Sequence, residues 1–148
     1  MATVRGCSFP SMLDYDVSRH VWYADAGGGL LRAGITQVGL ALAREVLVFT
    51  PKRVGRSFEA GRAVATIESA KWIGSVRAAF PGTVEAINEP LAARATALNH
   101  DCYGKGWMLI IRPATPDWRA ALLTGPAVAA AYEDWMEANG FEGCAARR

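Results

Sequence analysis

The sequence has few of the residues on which catalysis, metal binding or disulfide frameworks usually depend. Its 148 residues include two histidines and three cysteines. Cys7, Cys102 and Cys144 lie far apart and form no C-x-x-C pair, so we expect neither a zinc site nor a disulfide framework. His20 and His100 lie in no catalytic or metal-ligand motif. The absence of a P-loop and of a G-x-G-x-x-G pattern argues against a nucleotide site.

Long apolar runs and blocks of one charge are also missing. The apolar stretches are far shorter than the ~20 residues that a membrane-spanning helix needs. The first residues contain no apolar core of a signal peptide, so we expect a cytoplasmic protein. The 16 basic and 14 acidic residues give a formal net charge of +2, without a dense stripe of one sign. We therefore expect neither a nucleic-acid partner nor a membrane partner.

The chain does have enough apolar residues to form one core. Hydrophobic residues make up 51% of its 148 positions, which fits one compact domain over 1–148. We expect an N-terminal leader over 1–18 and a C-terminal helical extension over 113–148. Short strand candidates alternate with turn signals, and helices lie at the margins. This pattern predicts a mainly β barrel or flattened sandwich.

The strand and turn signals surround a single lysine, Lys71. Three strands are predicted in this region, over 63–69, 75–80 and 83–87. Lys71 lies in the connection between the first two of them. Pro81 and Gly82 predict a turn that pairs the last two, with Gly82 at positive φ.

The remaining elements follow from apolar periodicity and from the residues that begin and end helices. The predicted strands cover 21–23, 30–35, 46–49 and 107–111, and the predicted helices cover 36–44, 88–99 and 126–139. Thr36 is the expected N-cap of the first helix. The last helix has an apolar stripe formed by Val128, Ala131, Tyr132, Trp135 and Met136. Such a stripe packs on its own domain more often than on a partner.

A lysine at the tip of a tight hairpin is suited to carrying a covalently attached group. A modifying enzyme can reach its ε-amine, and a lipoyl arm attached there would extend over ~10–15 Å. The dithiolane of that arm can be reduced, loaded and reoxidised, so the chain itself needs no catalytic residue. On spacing alone, a solvated turn lysine explains Lys71 at least as well.

The residues around Lys71 resemble the lipoylation hairpin of the glycine-cleavage H-protein family. Glu68-Ser69-Ala70-Lys71 matches the E-S-x-K of that family, and residues 78–89 match its A-P-x-x-G-x-V-x-x-x-N-E return, with Ala79 at the usual proline. Further matches follow in the same order along the chain: His20-x-Trp22, Gly34-Ile35-Thr36, Asn88-Glu89-Pro90-Leu91, Leu98-Asn99 and Tyr103-Gly104-Lys105-Gly106-Trp107. The resemblance covers roughly residues 20–136.

This resemblance implies a fold, a cofactor and a role. The fold is the hybrid barrel-sandwich of lipoyl and biotinyl carriers, with flanking helices and a C-terminal helix. Lipoate would be attached covalently to Lys71, with Glu68 and Ser69 recognised by the lipoate ligase. The chain would be a non-catalytic carrier. Biotin carriers share the fold but resemble A-M-K-M around the lysine, whereas Ala70 and Trp72 flank Lys71 here. An unmodified interaction module that keeps only the fold is a further alternative.

Departures from the family pattern suggest a particular branch. Leu42-Ala43-Arg44 stands at the family's L-G-D, and the basic segment over 51–55 stands at its P-x-V-G. The leader from Arg5 to Pro10, the ESAKWIG segment over 68–74 and the terminal Cys144 are similar to lipoate-binding proteins of the heterodisulfide-reductase-like sulfur-oxidation system. That similarity implies an arm that carries sulfur-bound intermediates. The alternative is an H protein of glycine cleavage, which carries an aminomethyl group.

The partners and the cysteine roles follow from the same resemblance. It implies lipoate ligase or lipoyl-transfer enzymes, dihydrolipoamide dehydrogenase, and either a heterodisulfide-reductase-like complex or the glycine cleavage subunits. Cys7 and Cys144 would relay sulfur as thiols, or would be ordinary reduced thiols of the cytoplasm. Cys102, beside Tyr103, is expected to be a small packing residue.

Overall fold

Short antiparallel strands dominate the computed structural model, which describes residues 1–144, so the last four residues of the predicted extension lie outside the described residues. The strands are β1 (Ala2–Val4), β2 (Cys7–Phe9), β3 (Asp14–Asp16), β4 (Val21–Gly27), β5 (Leu30–Ile35), β6 (Val48–Pro51), β7 (Ser57–Phe58), β8 (Ala63–Glu68), β9 (Ile73–Arg77), β10 (Gly82–Ile87) and β11 (Leu109–Pro113). The helices are α1 (Gln37–Ala43), α2 (Glu89–Ala93), α3 (Ala97–His100) and α4 (Pro126–Asn139), with a 3-10 turn over Trp118–Ala121. The predicted mainly β fold with a C-terminal helix is confirmed.

The strands form three open antiparallel sheets. The largest has the order β3-β4-β5-β11-β10-β7, a second has the order β6-β8-β9, and within residues 1–144 β1 pairs only with β2. The main apolar core contains buried residues from both larger sheets, such as Tyr23, Ile111, Ile67 and Val76. The second sheet is therefore held by its apolar contacts with the first.

A second apolar cluster joins the N-terminal leader to the tail helix. Phe9 and Tyr132 stack with ring centroids 4.5 Å apart, and Trp22 and Met136 are fully buried in the same cluster. Arg5 binds Glu133 and Glu137 of α4 at 2.8 and 3.0 Å. The apolar stripe of α4 thus packs on its own chain, as predicted.

The helix that precedes the second sheet begins as its sequence indicates. Thr36 has extended backbone dihedrals, and its side-chain oxygen accepts a hydrogen bond from the amide of Gly39. This bond satisfies one of the amides that the first turn of a helix leaves free. The expected N-cap is therefore confirmed, and α1 occupies most of the predicted range.

The chain after Lys71 differs from the prediction. β9 belongs to the three-stranded sheet, whereas β10 pairs with β11 and β7 in the larger sheet. The segment with Pro81 therefore crosses between sheets and does not close a hairpin. Gly82 lies in β10 and has no positive φ, so that part of the prediction is also wrong. The glycine is needed for space, because a Cβ there would lie 2.7 Å from the carbonyl oxygen of Arg112.

The single helix predicted over 88–99 is two short helices. α2 ends before Arg94 and α3 begins at Ala97, yet Leu91 and Ala95 are both buried as their spacing suggested. Among the described residues, no helix combines the length and apolar character that crossing a bilayer requires.

The state of the cysteines corrects a second expectation. Cys7 in β2 and Cys144 after α4 form a disulfide, with Cα atoms 5.0 Å apart. The amide of Cys144 also donates to the carbonyl oxygen of Arg5. The wide spacing of the two cysteines in the sequence does not prevent the bond, because folding brings Cys7 and Cys144 together. Cys102 is free and buried, which fits its predicted packing role.

Replacing Gly82 should destabilise the fold through overpacking. We expect Gly82→Ala to lower the free energy of unfolding by about 1–3 kcal/mol, and Gly82→Val to lower it further, because the added carbons meet the β11 backbone. Chemical denaturation provides the measurement. The control is Gly28→Asn, at an open position with φ of 64° that asparagine tolerates. Unchanged stability of Gly82→Val would contradict the close approach of β10 and β11.

The disulfide should contribute strongly to stability, because it closes a sequence separation of 137 residues. Reduction, or the Cys7→Ala/Cys144→Ala variant, should lower the free energy of unfolding by about 2–5 kcal/mol. Guanidinium unfolding with and without a phosphine reductant measures this. The double variant should not respond to the reductant. Three titratable thiols in the unfolded, unreduced protein would show that the bond is absent.

Candidate functional site

A narrow hairpin turn carries Lys71. Glu68 of β8 pairs with Ile73 of β9, and the amide of Ser69 donates to the carbonyl oxygen of Trp72 at 2.8 Å. Only Ala70 and Lys71 then remain at the tip, and both are exposed. A two-residue connection is the shortest common hairpin loop, so the lysine stands at the very end of the sheet.

The base of this hairpin is firmly held. β8 is the central strand of its sheet, with Val48 of β6 opposite Glu68, and the amide of Leu47 donates to the Glu68 carbonyl oxygen at 2.8 Å. Ile67 is buried in the main core. Glu68 and Ser69, both half-buried, therefore have a fixed position at the base of the exposed tip.

Trp72 owes its position to a neighbouring glycine. A Cβ on Gly74 would clash with the far edge of the Trp72 ring. The indole therefore lies across Gly74 and lines two neighbouring clefts, which also share Leu42. A larger residue at position 74 would push this half-exposed ring away.

The larger cleft lies between the hairpin tip and the end of α1. Its volume is about 590 Å³, and it is lined by Leu42, Ala43, Arg44, Glu45, Leu47, Ser69, Ala70, Lys71 and Trp72. Apolar side chains form much of its wall. Charged side chains lie on the α1 side, at Arg44 and Glu45, and on the hairpin side, at Lys71. The modifiable amine therefore adjoins a recess that can receive an apolar chain.

Arg44 has an unusual backbone conformation at the rim of this cleft. It follows the last residue of α1 with φ of 66° and ψ of −140°, a conformation that favours glycine. Asn99 holds the segment on both sides: its side-chain amide donates to the Arg44 carbonyl oxygen at 2.7 Å, and its side-chain oxygen accepts from the Val46 amide at 2.8 Å.

An acidic residue directly follows Arg44 at the same rim. Glu45 lines the cleft together with Lys71, so the end of α1 presents one basic and one acidic side chain beside the amine.

A smaller cleft of about 110 Å³ lies on the other side of Trp72. Its polar wall includes Arg19, His20 and Ser75, and it has no carboxylate among its lining residues. His20 is buried, and its Nδ1 lies 3.1 Å from the Tyr132 hydroxyl. Burial lowers the pKa of His20 to about 4, although the charge of Asp16 opposes this shift. His20 is therefore neutral near pH 7.

The structure brings some of the predicted site residues together and separates others. Lys71 and Ser69 line the same cleft, with Glu68 directly before them in β8. Cys7 and Cys144 belong instead to the second apolar cluster, and their disulfide leaves no thiol for a sulfur relay. In this oxidised form the two residues offer no free thiol, and a thiol role of the reduced chain stays a prediction.

Sequence reasoning missed the other walls of the site. Leu42, Leu47 and Arg44 are distant from Lys71 along the chain, and they reach it only because α1 ends beside the β8–β9 hairpin. The positive φ of Arg44 had no signal in the sequence, since arginine rarely adopts it. Chemically, the arrangement offers an exposed amine for acylation beside a partly apolar recess.

The sequence of this chain is similar to those of known glycine cleavage H proteins. A sequence model of the glycine cleavage H-protein family matches residues 13–135. Glycine cleavage system H protein 5 of Aquifex aeolicus is 35% identical over 127 residues, which are 83% of this chain and 85% of that relative. Probable glycine cleavage system H protein 2 of Sulfurisphaera tokodaii is 33% identical over 129 residues, which are 86% of this chain and 87% of that relative.

A solved structure supports the same fold. The crystal structure of a glycine cleavage system H protein from Mycobacterium marinum matches with a TM-score of 0.70 at 24% identity. The match covers 89% of this chain and 99% of the other chain. Because the family model and the curated relatives span most of the sequence, the chain belongs to the glycine cleavage H-protein family.

Proposed function

We propose that this protein is a lipoyl carrier and that lipoate forms an amide with Nζ of Lys71. The observation that supports this most strongly is the two-residue tip, which exposes Lys71 on a rigid three-stranded sheet. The residues fit such a group, because Leu42, Leu47 and Trp72 provide apolar surface beside the amine. When attached, lipoate supplies a dithiolane that can accept and release a group. The chain itself is not an enzyme.

The carried group is most simply the aminomethyl group of glycine cleavage. The family match and the names of the relatives support this reading. Glu45 adds to it, because this carboxylate lines the cleft of Lys71 and can attract a cationic load. The proposed partners are a lipoate ligase or lipoyl-transfer enzyme, the glycine cleavage subunits and dihydrolipoamide dehydrogenase. The proposed compartment is the cytoplasm.

A second candidate is the transport of sulfur-bound intermediates to a heterodisulfide-reductase-like complex. One observation favours it: the smaller cleft beside Trp72 has a cationic Arg19 and a neutral His20, but no carboxylate in its wall. Asp16 lies nearby, yet its oxygens already accept hydrogen bonds from Ser18 and Arg19. A cationic aminomethyl load would find no free carboxylate in this cleft, whereas a neutral or anionic sulfur load would need none.

Lipoylation should depend on Lys71 alone. Co-expression with a lipoate ligase in the presence of lipoate should add one lipoyl group, which intact-mass analysis detects, and Lys71→Arg should abolish the addition. Arginine keeps the charge at this exposed position, so the fold should be unchanged. Lys52→Arg and Lys105→Arg, which replace the two other lysines, serve as matched controls and should retain the modification. Addition to the Lys71→Arg variant would contradict the site.

Glycine–bicarbonate exchange distinguishes the two candidate loads. The lipoylated protein should support exchange of labelled bicarbonate into glycine by glycine decarboxylase, and the unmodified Lys71→Arg variant should not. The rate measures productive docking and loading of the arm together. Exchange at background level, in an assay where an established H protein works, would reject the glycine reading and favour the sulfur candidate.

A further inference from the structure

We propose that Arg44 and the apolar side chains around Lys71 form a docking surface for the enzyme that attaches the arm. The proposed surface consists of Arg44, Leu42, Leu47, Val48, Trp72 and Ile73, and is called the tip surface below. This inference rests on the proposed lipoylation of Lys71 and adds the partner-recognition chemistry of that site.

The backbone of Arg44 is the first observation. An arginine with φ of 66° and ψ of −140° occupies a region of backbone conformation in which glycine is strongly preferred. Glycine at this position would relieve the strain and would still allow α1 to end. Retaining an arginine here costs stability, and strained residues of this kind concentrate at functional sites.

The second observation is that the backbone around Arg44 is fixed while its side chain is available for binding. Asn99 fixes the backbone on either side of it through hydrogen bonds of 2.7 and 2.8 Å. The residue is exposed, and within residues 1–144 its guanidinium takes part in no ion pair. A cation on a fixed backbone loses less conformational freedom on binding than one on a mobile loop.

The third observation is the distribution of exposed apolar residues. Of the nine large apolar side chains exposed on the described chain, five surround the hairpin: Leu42, Leu47, Val48, Trp72 and Ile73. Leu42, Leu47 and Trp72 line the cleft of Lys71, whereas Val48 and Ile73 lie on either side of Glu68 across the three strands. Exposed apolar side chains therefore flank the base of the tip, and such a grouping beside charged residues is typical of a protein-binding surface.

The position of Lys71 identifies the occupant. The attaching enzyme must bring its active site to Nζ of Lys71, and Lys71 shares its cleft with Leu42, Arg44 and Trp72. That enzyme therefore covers the tip surface whichever load the arm later carries. Charge complementarity predicts a carboxylate of the enzyme opposite Arg44, beside an apolar recess for Trp72. Glu45 lies on the same rim and would repel such a carboxylate. The net attraction of the enzyme's carboxylate therefore depends on Arg44 and Lys71.

The test measures steady-state lipoylation of the full chain by the lipoate ligase that modifies it. Arg44→Glu should raise the KM for the carrier by at least about tenfold with little change in kcat, because like charges would face each other in the encounter. Arg44→Lys should stay within about threefold, since it keeps the charge. Added salt should raise the KM of the wild type more than that of Arg44→Glu.

Arg44→Gly separates docking from folding. Because glycine relieves the positive φ, we expect its melting temperature to rise by a few degrees while its KM still increases. A residue with a purely structural role would not give this opposite pair of changes. Gly74→Ala should also raise the KM, by displacing the Trp72 ring without removing it.

The control is Arg53→Glu, which reverses an exposed charge beyond the opposite end of β6 and should leave the KM unchanged. Equal KM values for wild type, Arg44→Glu and Arg44→Gly would overturn the docking proposal but leave the lipoylation of Lys71 intact. A general increase in KM that includes Arg53→Glu would also overturn it, since the effect would then be one of net charge. Failure of the wild type to be modified would overturn both proposals.

Discussion

The antiparallel pairing of β8 with β9 is the interaction on which the functional geometry depends. Its register sets Glu68 opposite Ile73, and the hydrogen bond from Ser69 to Trp72 beyond this pair leaves only two residues for the tip. Because side chains alternate across a strand, a slip of one residue would exchange the buried Ile67 or Val76 for a polar, more exposed neighbour. Core burial therefore holds the register, and the register in turn exposes Lys71.

The rest of the fold provides a rigid base for the hairpin that carries Lys71. The larger sheet supports the β6-β8-β9 sheet through the main core, while the second cluster joins both ends of the chain. Trp22 connects distant parts of the fold, since its indole N–H is shared between the carbonyl oxygens of Ile35 and Cys102 at 3.1 Å each. The Cys7–Cys144 disulfide adds a covalent connection between the same ends. Under the proposed function, flexibility is needed only in the arm attached to Lys71.

Several unusual side chains surround the tip of the β8–β9 hairpin. Arg44 has a positive φ at the end of α1, Trp72 follows the lysine, and the smaller cleft combines Arg19 with a neutral His20. Arg44 and Trp72 are exposed beside Lys71, whereas His20 is buried. Under the proposed function, partner recognition and choice of load would be determined close to the point of attachment.

The sequence by itself determined the mainly β class, the Thr36 cap, the limits of α4 and the position of Lys71 in a connection between strands, because these depend on local periodicity, capping and turn residues. Only the tertiary structure decided that Gly82 passes into another sheet, that Cys7 meets Cys144, and that Arg44 reaches the cleft of Lys71. Each of these depends on contacts between residues far apart in sequence. Local sequence patterns do not indicate such contacts, because the contacts arise only when sheets and helices pack together.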